Sequence, residues 1–185
     1  LHRVLLAIAA CAAAMIGFLS VVPPAAAHGF SSVVYADVRS GAESHVRSTL
    51  LLEYDLLVVS AADAEHDDPL FQEGTAAFDG GDPAEMAAAL QDHAAAVLAY
   101  VGRRFTVTSS GVACVPRQVG RFTMAQRQGV PYARYVLDAE CPRPGASHIV
   151  TSRLFPDGEG YVRSTKTILT YEIDTQHGSA ALDAE

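Results

Sequence analysis

Three groups of residues have the types and spacing to support chemistry. His28 follows Ala25-Ala26-Ala27, so processing after Ala27 would put a free amine and an imidazole on one residue, a pair of nitrogens that chelates Cu(II). Between Ser48 and Gly102 stand eleven Asp and Glu residues and no Lys or Arg. The densest part of that run is Asp63-Ala64-Glu65-His66-Asp67-Asp68. Its hard carboxylate oxygens suit Ca²⁺ or Mg²⁺, and the imidazoles of His66 and His93 shift the preference toward Ni²⁺, Co²⁺ or Zn²⁺. The candidate metal ligands are therefore His28, Asp63, His66, Asp67 and Asp68. The run lacks the D-x-D-x-D-G order of an EF-hand, so the competing reading is a solvated acidic loop that keeps the domain soluble. The third group is the cysteines. Hydrolase signatures are missing: there is no G-x-S-x-G elbow and no H-E-x-x-H helix. Glu53 and Asp55 could pair for acid/base work, but such residues far more often face water. No catalytic residue is expected, and the chain is read as a non-enzyme.

The elements that must carry these residues begin with an address. Arg3 precedes the uncharged stretch Val4 to Val22, which ends in Pro23-Pro24 and the three alanines. That order reads as a secretory signal peptide over 1–27, leaving a mature chain of 28–185. An uncleaved anchor is the alternative, since nineteen apolar residues are long enough to span a bilayer. With the leader removed, Cys114 and Cys141 remain, and in an oxidising compartment the economical reading is one disulfide, with two buried free thiols as the alternative. Such a bridge would contribute about 3 kcal/mol by restricting the unfolded chain.

The mature chain has the composition of a folding domain. Of 185 residues, 50% are hydrophobic and 18% charged, which excludes wholesale disorder. Thirteen Lys and Arg against twenty-one Asp and Glu give a formal charge of −8, which argues against nucleic acid or an anionic membrane surface as partner. Alternation from Val46 to Val58 predicts a long strand, with Ser32 to Val38 as its hairpin partner. Ser60 to Gly81, rich in acids and glycines, reads as a surface loop. Asp82 as cap, Pro83 at the first turn and Gly102 as stop predict one amphipathic helix over about 83–101. Short strands divided by turn residues follow, from Arg104 to Ile173, and Ser179 to Leu182 starts another. The fold class expected is mainly β: an antiparallel β-sandwich, Ig-like or barrel-like, with one inserted amphipathic helix.

SSVVYADV, STLLLEYDLL, the acidic stretch, LAYVGRRFTV, GVAC, GVPYARYVLDAEC and TKTILTYEIDTQHGSAALDAE, in that order, resemble the N-terminal extracytoplasmic region of HupE/UreJ-like membrane proteins. The resemblance implies an exported β-rich interaction domain with a Cys114–Cys141 bridge. It would be held near a membrane by a portion beyond residue 185, and that membrane portion would be its partner. The family's association with hydrogenase and urease accessory functions implies nickel or cobalt handling. No apolar span follows residue 30, so transport itself is not carried over. The second reading starts from His28-Gly29-Phe30, which is similar to the N-termini of copper-dependent lytic polysaccharide monooxygenases. It implies a free secreted copper-binding protein or copper enzyme, although this chain has no Trp for a polysaccharide surface.

Overall fold

The structure, a computed structural model, describes residues 30–42, 44–142 and 147–184. The leader, its cleavage point and His28 lie outside the described residues.

The expected hairpin forms the centre of a large sheet. Strand β1 (Ser31–Ser40) pairs antiparallel with β2 (His45–Glu53), Tyr35 opposite Leu51 and Ser40 opposite Val46. On the far side of β2 runs β7 (Val130–Glu140), antiparallel to it. The outer edge of β7 is shared end to end by β5 (Val115–Gln118) and β6 (Thr123–Arg127). On the other side β9 (Ser164–Ile173) lies parallel to β1, and β10 (Gln176–Asp183) pairs antiparallel with β9. Among the described residues this makes a seven-stranded sheet. A three-stranded sheet is built from β4 (Val112–Ala113), β3 (Phe105–Ser109) and β8 (His148–Ser152), with β3 in the middle.

Alternation places one face of the large sheet in the core: Val34, Ala36 and Val38 of β1, Leu50 and Leu52 of β2, and Tyr135, Leu137 and Ala139 of β7 are all buried. The small sheet covers part of that face, and Ser152 Oγ and Thr167 Oγ1 share a buried hydrogen bond of 2.7 Å between the two sheets. Helices cover the rest. The fold is mainly β, with two sheets and four helices among the described residues.

Several sequence expectations are corrected here. The strand that starts at Val46 does not reach Val58; it ends at Glu53, and helix α1 (Tyr54–Glu65) follows directly. Glu53 does not face water either: it is buried, and its Oε1 accepts from Ser32 Oγ at 2.9 Å, Val33 N at 3.1 Å and Tyr132 OH at 3.3 Å, anchoring the chain where it leaves the sheet. Leu56, Leu57 and Val58 are all buried, because α1 is covered on one side by the sheet and on another by the next helix, so helical periodicity is erased.

The stretch Ser60 to Gly81 is not a loop. It holds the end of α1 and helix α2 (Asp68–Gly80), joined at His66 and Asp67. His66 closes α1 in the left-handed region, with φ 56°, and Asp67 caps α2 by accepting from Leu70 N at 3.1 Å, with Pro69 in the first turn. The acids that suggested a loop are a helix junction.

The single helix over 83–101 is two, α3 (Pro83–Asp92) and α4 (Ala94–Arg104), broken at His93. Asp82 does cap α3, accepting from Ala84 N at 2.8 Å. Gly102 does not stop α4, which runs on to Arg104. A Cβ there would meet Pro116 Cγ at 3.2 Å, so this glycine serves close packing.

Cys114 and Cys141 form a disulfide, with Cα atoms 4.3 Å apart. Cys114 is the one residue between β4 and β5, where the chain crosses from the small sheet to the large one, and Cys141 immediately follows β7. The bond therefore ties the crossing point to the end of a central strand.

Candidate functional site

The described surface feature best suited to binding is a groove over α1. Two adjoining hollows, each of about 370 Å³, share Val59, Phe71 and Tyr161. The apolar half is completed by Phe30, Val58 and Phe78, the polar half by Asp63, His66 and Asp68. Phe30, Phe71 and Tyr161 are 52%, 48% and 37% exposed, so three large side chains that could be buried stand open around one depression.

Each wall has a local cause. Helix α2 lies tight on α1 because Gly74 has no side chain, and Tyr54 OH donates to Gly74 O at 3.2 Å. Tyr54 also stacks on Phe78, ring centroids 6.1 Å apart. Burial pushes the Tyr54 hydroxyl up to about 12, so it stays a donor at neutral pH. Phe71, on the first turn of α2, then projects past α1. Phe30 and Tyr161 arrive from the sheet: β1 and β9 start side by side in parallel, Ser31 opposite Ser164, which brings the residues just before each strand to the same edge. Arg163 N donates to Phe30 O at 3.0 Å and closes that edge.

The segment bearing Tyr161 is held from below. Tyr100 OH donates to Glu159 Oε2 at 2.9 Å and accepts from Phe155 N at 3.3 Å. Arg104 pairs with Glu159 and lies 4.2 Å over the Tyr100 ring. Burial first, then the Glu159 charge, drives the Tyr100 hydroxyl upward. Gly160 turns the chain in the left-handed region, with φ 83°, and delivers Tyr161 to the rim. Burial, and after it the charge of Asp63, raises the Tyr161 hydroxyl as well.

The sequence-derived metal ligands are divided. Asp63, His66 and Asp68 line the polar hollow. Asp67 turns away: beyond its cap, its Oδ2 lies 2.9 Å from His93 Nδ1, while His93 Nε2 lies 3.2 Å from Glu73 Oε2. An imidazole with a carboxylate at each nitrogen is favoured in its protonated form. Desolvation, the largest single influence, lowers its pKa, but the two hydrogen bonds and two charges together outweigh it and raise it. His93 thus clips the break between α3 and α4 to the start of α2. No three His, Cys, Asp or Glu side chains among the described residues converge to hold a metal ion.

Sequence reasoning missed Phe30, Phe71 and Tyr161. Nothing in a sequence distinguishes an exposed aromatic from a buried one when its exposure depends on how helices and strand starts meet in the fold. The run without cations from Ser48 to Gly102 was the available signal, and it does mark the helical layer in which the groove lies.

Fold and site together define a disulfide-bonded, mainly β domain whose helical layer carries an acidic, aromatic-rimmed groove. The sequence matches no protein-family model and no curated protein. Among the described residues no helix is long and apolar enough to cross a membrane.

Proposed function

We propose that this chain is the non-enzymatic, exported interaction domain of a HupE/UreJ-like membrane protein, a β-sandwich whose second layer is completed by helices. The groove over α1 is the surface it presents to the membrane portion. The observation that carries this reading is the clustering of exposed Phe30, Phe71 and Tyr161 around one depression floored by Val58 and Val59. Apolar side chains held open on a rigid frame gain free energy only when a partner covers them. Asp55, Asp63 and Asp68 border the same depression in a segment with no Lys or Arg, so the fitting occupant is an apolar side chain flanked by Lys or Arg. This reading rests on the groove rather than on metal capture: of the expected ligands, Asp67 is engaged by His93, while Asp63, His66 and Asp68 line the polar hollow.

The test is calorimetric titration of the disulfide-bonded protein with an amphipathic helical peptide of leucines and lysines, and with its glutamate counterpart. Saturable binding of the basic peptide, weakened about tenfold or more by Phe71→Glu, is the expected result. Phe71 is half-exposed, so the substitution leaves the core alone. Equal binding by the variant, or equal binding of the acidic peptide, overturns the proposal.

A further inference from the structure

The opposite face of the large sheet carries a separate feature. Alternate residues of β1, β2 and β7 point away from the core there, and the register sets Arg39 opposite Arg47, Arg47 opposite Asp138, Asp37 opposite Thr49, and Leu51 opposite Arg134. Asp37, Arg39, Arg47, Thr49 and Arg134 line a hollow of about 370 Å³. Its charges are unevenly paired. Asp37 is taken by Arg39, through Nε at 2.7 Å and Nη2 at 3.2 Å. Arg47 reaches only Asp138 Oδ1, at 3.8 Å, while Asp138 Oδ2 is engaged by His45 Nδ1 at 2.7 Å. Arg134 has no hydrogen-bond or ion-pair partner among the described residues.

Arg47 and Arg134 therefore face a hollow whose one lining carboxylate, Asp37, is spent on Arg39, which also has Glu172 opposite it on β9. Arg134 without a carboxylate, beside Arg47 with one only at 3.8 Å, leaves donors and positive charge that an anion can take up. A guanidinium offers paired donors that match adjacent oxygens of an oxyanion, and Thr49 adds a hydroxyl donor between them. The groups sit on three adjacent strands, so a ligand meets a frame already ordered. A tetrahedral anion presents oxygens in several directions and can serve donors from several strands at once, which a planar carboxylate does less well. We propose that this hollow binds a phosphate-type oxyanion, held by Arg47 and Arg134 over Thr49 with Arg39 at the rim.

Inorganic phosphate titrated into the disulfide-bonded protein, followed by calorimetry, should give a saturable signal that Arg47→Gln and Arg134→Gln each weaken about tenfold, since each removes a charge-assisted hydrogen bond. Arg153→Gln, on the small sheet's side of the molecule, should bind as the unsubstituted protein does. A parallel co-sedimentation uses phosphatidylcholine vesicles with and without phosphatidylglycerol. Binding that needs phosphatidylglycerol and Arg134 assigns the oxyanion to a lipid headgroup; phosphate binding without vesicle binding assigns it to a soluble ligand. The proposal fails if neither probe binds, or if Arg47→Gln and Arg134→Gln bind as well as the unsubstituted chain while thermal unfolding shows all variants folded.

Discussion

Gly74 of α2 rests directly on Val58 of α1: a Cβ built at Gly74 would lie 2.7 Å from Val58 Cγ1 and 2.8 Å from Cγ2. This contact sets the spacing of the two helices that wall the groove. Gly74→Ala must push them apart or force Val58 off its rotamer, at a cost of about 1–3 kcal/mol. Thermal and urea unfolding should both show the loss, and the groove's affinity for the basic amphipathic peptide should change with it. An unchanged midpoint would mean that the helices are not packed as described.

His93 makes stability depend on pH. Its ordinary value is 6.5, and in the fold it is raised. A group raised on folding stabilises fully below its unfolded value and loses that contribution as pH climbs through its folded value. Urea midpoints should therefore fall from about pH 6.5 upward, as the imidazolium between Asp67 and Glu73 loses its proton. In His93→Gln that slope should flatten. A slope of equal size in the variant would assign the dependence elsewhere.

The Cys114–Cys141 bond closes a loop of 27 residues' separation. Reduction, or replacement of both cysteines by alanine, should lower stability by about 3 kcal/mol in reversible denaturation. Bonded to each other, the two sulfurs offer no thiolate, so alkylation should label neither position in the native oxidised protein and both after reduction and unfolding.

Tyr100 carries the segment that holds Tyr161. Tyr100→Phe removes the donor to Glu159 and leaves Phe155 N without its acceptor, which should cost about 1–3 kcal/mol. Because Glu159 also loses one of its two tethers, peptide binding in the groove should weaken more than in a variant of equal stability loss far from Tyr161. Chemical denaturation and titration of the same samples separate the two effects.

Much of the β structure was readable in advance. The hairpin of Ser32 to Val38 with the strand beginning at Val46, the cap at Asp82 and Pro83, and the strands marked off by Gly and Pro turns after Gly102 all depend on period-two alternation and local turn chemistry, which neighbouring residues decide. The failures share a cause. Tyr54 to Glu65 looked like strand and then loop because its apolar residues are buried on several sides, and Asp67-Asp68-Pro69 looked like a break because a helix start uses the same residues as a turn.

By itself, then, the amino-acid order determined where most strands and turns fall, that two cysteines stood ready to pair, and that the middle of the chain carries acids without cations. Only the tertiary structure decided that this middle is a layer of four helices, that Phe30, Phe71 and Tyr161 meet at one rim, and that three arginines from β1, β2 and β7 share one hollow. These are relations between residues far apart in the chain. They follow from strand register and helix crossing, which are set by packing over the whole core.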